Sequence, residues 1–354
     1  MNHCCLTAII ALTLAVLATL GGCTSTSPSG SDGSIVLKSV RGFHVGGERL
    51  SLTGLPTKEI RTNPQAPIRI SNPNGDYQVG QLYVQQFSLA APKGKVPILL
   101  WHGGGLTGVT WETTPDGRSG WHEFFMRAGY DTYVSDAVER GRASWARYPE
   151  INKIEPEHRT PNQAWDIFRF GPADGYSSDP AKQKVHPGQQ FPAAHIDQFG
   201  KQFVARWTTS DVWIQKAYNE LVQRVCPCII IGHSQAGMFV YAAAQAAPDK
   251  VKAVVMVEPA SGLEPATFSG ANVKHIPHLT VWGDYVSGSK LWTTYRSNVE
   301  RYTHTINASG GKADTFDLPA MGVRGNSHMV MMDKNSDEVA RLIRNWLVKQ
   351  GLEH

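Results

Sequence analysis

The sequence predicts an α/β protein whose mostly parallel sheet carries helices on both faces. Three observations lead there. Apolar runs rich in β-branched residues recur along the chain at 96–101 (VPILLW), 228–231 (CIII), 251–257 (VKAVVMV) and 279–282 (LTVW). Continuous apolar runs suit strands buried on both faces, as parallel sheets require. One of these runs ends at Gly232 and passes through His233-Ser234-Gln235 into an alanine-rich stretch, MFVYAAA, with helical character. A strand that turns sharply into a helix through an isolated serine is a specific pattern. Lastly, Val339, Leu342, Ile343, Trp346 and Leu347 fall at i, i+3, i+4, i+7 and i+8, the stripe of an amphipathic terminal helix.

The chain has 354 residues and a formal charge of +4, with basic residues scattered rather than clustered. That distribution carries no nucleic-acid footprint. Residues 1–23 read as a targeting segment: 6–20 form an uncharged apolar run of signal-peptide length that closes on Leu20-Gly21-Gly22-Cys23. Small residues before a cysteine resemble a bacterial lipobox, so Cys23 is the expected lipid attachment point and the domain an exported one held at a membrane. Simple secretion or periplasmic release is the alternative. Residues 24–34, rich in Ser, Gly and Thr, read as a flexible tether. The remaining 35–354 suit one large domain. Only Cys226 and Cys228 are then left, flanking Pro227. A disulfide across one residue is geometrically demanding, so both are expected as plain small residues.

Along the folded part, 39–45 and 50–52 alternate as strands on either side of an expected Gly46-Gly47 turn, and 81–87 forms a further half-buried strand. Residues 121–128 read as a helix closed by Gly129, 130–136 as a strand, and 209–225 as a helix with Val212, Ala217, Leu221 and Val222 on one face. Residues 313–318 complete the strands. Asn335 is placed to open the terminal helix with Glu338 as capping-box partner. Residues 145–208 break the alternation. They are rich in Pro, Gln, His and aromatics, and an insertion of that length reads as a functional cap.

Serine needs a general base within reach, and the base needs an orienting carboxylate. In a strand–Ser–helix arrangement the partners follow the serine in the order acid, then histidine. Of the thirteen histidines, His275, His278, His304, His328 and His354 follow Ser234. His328, in the loop GNSHM between the last strand and the terminal helix, is the expected base. His275 and His278 lack an accompanying acidic or cysteine ligand, so no metal site is read there. Two carboxylates fit the acid: Glu258, after strand 251–257, and Asp284, after strand 279–282. The N–H of Gln235, which follows the serine, and that of Gly104 or Gly105, in HGGG (102–105), are the expected oxyanion donors. Trp111, Trp121, Trp165 and Phe168 are candidate pocket walls, although such aromatics more often fill the core.

These residues are similar to the α/β-hydrolase superfamily and, more narrowly, resemble secreted bacterial carboxylesterases. The carrying segments are FHVGGERLSLTGL (43–55), HGGGLTGVTWETTPDGRSGW (102–121), DIFRFGP (166–172), GHSQAG (232–237), VEP (257–259) and GVRGNSHMVMMD (322–333). The resemblance implies an α/β-hydrolase fold and a Ser–Glu–His triad, hence Ser234, Glu258 and His328, with Asp284 the alternative acid. Ala236 departs from the usual second glycine of the turn, and the plain triple glycine departs in the oxyanion loop. The implied activity is serine ester hydrolysis of a small-molecule ester without metal or organic cofactor. An amidase, lactonase or acyltransferase on the same residues, or a non-catalytic surface lipoprotein, is the alternative.

Overall fold

An eight-stranded sheet organises the computed structural model, in which residues 33–354 are described. The targeting segment 1–23, Cys23 and most of the tether lie outside the described residues. Residues Ile35–His354 form one unit. In chain order its elements are β1 (Leu37–Leu52), β2 (Lys58–Ile60), β3 (Arg69–Ser71), β4 (Gly75–Leu89), β5 (Ile98–Trp101), α1 (Trp121–Arg127), β6 (Thr132–Asp136), α2 (Pro161–Ile167), α3 (Ile196–Gly200), α4 (Asp211–Val225), β7 (Cys228–His233), α5 (Ala236–Ala246), β8 (Val251–Val257), α6 (Gly270–Val273), β9 (His278–Trp282), α7 (Lys290–Ala308), β10 (Ala313–Asp317) and α8 (Ser336–Lys349). The sheet order is β1-β4-β6-β5-β7-β8-β9-β10, with β2 and β3 forming a separate antiparallel pair. From β6 to β10 every neighbour is parallel, while β1–β4 and β4–β6 are antiparallel.

The apolar runs behave as strands buried on both faces. Ile98 and Leu100, Ile229 and Ile231, and Val255 and Val257 enter one core layer with Phe125 of α1 and Ile343 of α8. Leu99 and Trp101, Cys228 and Ile230, and Val254 and Met256 enter the opposite layer with Leu221 of α4 and Val240 of α5. This period of two places both sets out of water at once. Register then aligns the carboxyl ends. Trp101 pairs with Gly232, His233 with Val257, and Val257 with Val281. The loops after β5, β7, β8 and β9 therefore emerge side by side, where open α/β sheets hold their ligands.

Three local expectations are corrected. Gly46 and Gly47 do not turn the chain: β1 runs unbroken, paired with β4 from Leu37↔Leu89 to Leu52↔Gly75. Both glycines take positive φ (72° and 95°), and a Cβ on Gly46 would lie 2.8 Å from the Ala217 Cβ, so the glycines let the strand bend closely over α4. Val212 is 79% exposed; the buried face of α4 is Ile214, Ala217, Tyr218, Leu221 and Val222. Val212 sits in the first turn, before the helix meets the sheet. Cys226 and Cys228 form a disulfide, because the chain swings from α4 into β7 at Pro227 and brings their Cα atoms to 4.4 Å.

Gly46→Ala should destabilise the fold by about 1–3 kcal/mol, through the positive φ and the clash with Ala217. A lowered midpoint in urea denaturation is the expected outcome.

Candidate active site

Ser234 stands in the turn between β7 and α5 with φ 54°. Its N–H donates to the Val257 carbonyl (3.1 Å), and its own carbonyl accepts from Gly237 and Ala260 (3.0 Å each). The turn works only with small neighbours. A Cβ on Gly232 would meet the Val240 side chain at 2.8 Å, and one on Gly103 would lie 3.0 Å from the Ser234 Cβ. The glycine loop after β5 thus passes directly against the serine. His102 fixes that loop from beneath: its Nδ1 bonds the Gly103 carbonyl (2.8 Å) and its Nε2 accepts from the Ala137 N–H (3.0 Å). Burial lowers the His102 pKa to about 4, so the ring stays neutral and keeps both roles. Among the described residues, the N–H groups of Gly104, Gly105 and Gln235 donate no hydrogen bond.

His328 is carried by the loop between β10 and α8, and a buried carboxylate holds that loop in shape. Asp333 Oδ2 accepts from the Ser327 N–H (2.8 Å) and from Asn326 Nδ2 (3.0 Å), and Oδ1 accepts from Ser327 Oγ (2.7 Å). The expected capping box at α8 is absent. Asn335 flanks the helix, but its side chain exchanges hydrogen bonds with Asn326 (2.7 and 3.1 Å). The cap has been given up to steady the loop. Burial pushes the Asp333 carboxyl up to about 7, against the pull of its Ser327 and Asn326 donors. The His328 N–H donates to the Phe168 carbonyl (3.0 Å), and its carbonyl bonds His233 Nε2 (3.0 Å).

Of the two candidate carboxylates, Glu258 meets the histidine. Its Oε2 lies 3.2 Å from His328 Nδ1, and both side chains are fully buried. Its Oε1 is ion-paired with Arg169 Nη2 at 2.8 Å and accepts the Gly283 N–H. Asp284 is otherwise engaged. Its side chain accepts from the N–H groups of Tyr285 (2.8 Å) and Gly325 (3.1 Å), while its carbonyl accepts from Arg169 Nε (2.8 Å). His328 Nε2 is buried and without a hydrogen-bond partner among the described residues, and His328 and Ser234 line the same cavity. Burial, then the positive charges of Arg169 and Arg159, depress the His328 pKa well below its usual value.

The cavity over Ser234 has a volume of about 370 Å³. Its lining mixes apolar side chains, Phe168, Met238, Leu291 and Trp292, with the cations Arg159 and Arg206. The insertion at 145–208 thus supplies part of the wall, through Arg159, Phe168 and Arg206. Trp111, Trp121 and Trp165, expected as possible walls, lie in the core instead, and Phe168 alone of that group reaches the cavity. Arg169, Asp333 and the two cavity arginines were not singled out by sequence reasoning. For Arg169 a signal existed: it sits inside DIFRFGP, one of the resembling segments.

The fold has a counterpart among solved structures. A protein described as a novel bacterial esterase, solved at atomic resolution, is 32% identical to this chain, with a TM-score of 0.77 over 92% of this chain and 99% of its own. The chain belongs to the α/β-hydrolase superfamily. A family model for the alpha/beta hydrolase fold also matches residues 175–283, the stretch that holds Ser234 and Glu258. A probable secreted lipase from a fungal species (Fungal sp.) is 26% identical over 78% of this chain and 88% of its own. In this α/β-hydrolase the sheet register, rather than local sequence, brings serine, histidine and carboxylate loops to one rim.

The depressed His328 pKa has a readable sign. Below about pH 6.5 an unfolded histidine is charged, whereas the folded ring stays neutral. The unfolded chain then binds more protons, so stability falls as pH drops through that value toward the lower folded pKa. Histidine ring resonances followed by NMR should show His328 still neutral at pH 6.

Proposed function

We propose that this hydrolase cleaves carboxylic esters through an acyl-enzyme on Ser234. The reading rests on one observation above all: Glu258 engages His328 Nδ1 and leaves Nε2 unpartnered, and the ring lines the same cavity as Ser234. Neutral His328 takes the Ser234 proton as the hydroxyl attacks the ester carbonyl. Glu258 holds the ring's orientation and stabilises the imidazolium that forms. The Gln235 N–H, at the start of α5, and that of Gly104 or Gly105 receive the tetrahedral oxyanion. His328 then returns its proton to the departing alcohol, and a water activated by the same ring releases the acid. Free hydrogen-bonded contact between Ser234 and His328 is not required in the resting state, since such bonds tighten when substrate binds.

Ser234→Ala should abolish turnover of short aryl esters and labelling by a fluorophosphonate probe. Glu258→Gln should lower kcat by about 10⁴-fold, as for other triad acids. Asp284→Asn, which loosens only the Gly325 contact, should cost far less. The reverse ranking would move the acid to Asp284. Matched amide and lactone substrates, turned over faster than esters, would reassign the acyl group.

We also propose export and lipid anchoring at Cys23. Support comes from the lipobox-like LGGC, from the fungal relative's being described as a probable secreted lipase, and from the Cys226–Cys228 disulfide, a bond that persists in oxidising compartments. Expressed with its leader in a bacterium, the protein should incorporate labelled palmitate and partition with membranes. Cys23→Ser should remove the label and release it.

A further inference from the structure

The cavity carries a pair of cations that the proposed chemistry does not use. Arg159 and Arg206 both line the space over Ser234 and also a neighbouring cavity of about 310 Å³, so they stand where the two spaces adjoin. They flank the oxyanion loop: a Cβ on Gly104 would lie 3.6 Å from Arg206 Cζ, and one on Gly105 would lie 3.8 Å from Arg159 Nε. The Arg206 backbone and the Arg159 side chain are held in place. Glu157 and Arg206 exchange both main-chain hydrogen bonds at 2.9 Å, and the Arg159 guanidinium rests on the Phe168 ring at 4.7 Å.

Neither guanidinium has an ion-pair partner among the described residues, and Arg159 Nε and Arg206 Nε are buried without a hydrogen-bond partner. Each repels the other, and Arg140 adds to the field on Arg206. Glu157 and Asp211 share the cavity lining and act on them only at a distance; the Asp211 carboxylate is 3.4 Å from Gln235 Nε2 instead. Both side chains are half-buried, with only the Nε atoms fully shielded, so their terminal nitrogens remain open to an anion that would complete them.

We propose that Arg159 and Arg206 form a carboxylate-binding subsite, which selects esters bearing a free carboxylate, such as half-esters of dicarboxylic acids. The assignment deepens the esterase reading of the same cavity. A carboxylate matches the planar donors of a guanidinium in two parallel bonds. A monoanion suits the site better than a phosphate dianion, because Glu157 and Asp211 already offset part of the positive charge. The apolar lining residues Met238, Leu291 and Trp292 are left for the uncharged part of the ester.

The test measures binding apart from turnover. Calorimetry on Ser234→Ala protein compares monomethyl succinate, glutarate and adipate with neutral methyl pentanoate, and with inorganic phosphate. The expected result is a preference of about 10- to 100-fold for at least one half-ester over the neutral ester. Arg159→Gln and Arg206→Gln, each added to Ser234→Ala, should reduce that preference toward unity, and Arg206→Lys should restore it in part. Equal affinity for charged and neutral esters would overturn the proposal, as would a preference that survives both glutamine variants or tighter binding of phosphate than of every half-ester. Because unsubstituted arginines already decide the first comparison, an unfolded variant does not spoil the test. If half-esters bind selectively but the wild-type protein hydrolyses none, the esterase reading fails while the subsite stands.

Discussion

A single buried carboxylate holds this site together. Glu258 is fully removed from water, a position costly for a charge unless partners surround it. It has three: the Arg169 guanidinium, the Gly283 N–H and the His328 ring. Each comes from a different part of the chain. Gly283 follows β9, His328 precedes α8, and Arg169 belongs to the segment after α2. The charge can be buried only when all of these are docked, so the carboxylate couples the sheet, the insertion and the C-terminal loop into one arrangement. Arg169 extends the coupling through the Asp284 carbonyl and lies over the Trp292 ring at 4.9 Å.

Around this centre, labour is divided among groups that hold the backbone in place. His102 and His233 are buried neutral rings that hold backbone carbonyls, one beneath the glycine loop and one behind His328. Asp333 shapes the histidine loop by gathering donors from Asn326 and Ser327 onto one carboxylate. Trp121, from the first core layer, pins the start of α8 through the Ser336 carbonyl at 3.1 Å. Precision at His328 is therefore inherited from residues whose own chemistry is idle.

Much of this was legible in the sequence because period and order are local signals. The buried strands, the serine turn and the stripe of α8 each occupy one contiguous stretch and were placed correctly. Errors arose where tertiary contact overrode local preference. A Gly-Gly pair reads as a turn, but against Ala217 it is the means of bending a strand. Asn335 reads as a cap, but Asn326 claims its amide. Tryptophans near the glycine loop read as pocket walls, yet their size draws them into the core. Sequence order alone left Glu258 and Asp284 open as candidates, since both follow adjacent strands; in space Glu258 meets the His328 ring, whereas the Asp284 carboxylate is taken by backbone N–H groups. Arg159 and Arg206 lie far apart in a stretch without periodicity, and no spacing rule unites them.

The backbone at Ser234 and Glu258 is left-handed, with φ of 54° and 52°, and neither residue is glycine. Conformations of that kind cost roughly 1–3 kcal/mol each for an ordinary side chain. Arg169, which pairs with Glu258, shares this conformation at φ 59°, so the tension falls on residues that the proposed mechanism uses or that hold them, and the surrounding hydrogen bonds restrain it. Glycine at Ser234 would relax part of it and, under the proposed mechanism, leave the protein inert. Robustness and reactivity thus pull against each other at this turn, and a search for hardier variants that watched only melting behaviour would drift toward silent ones.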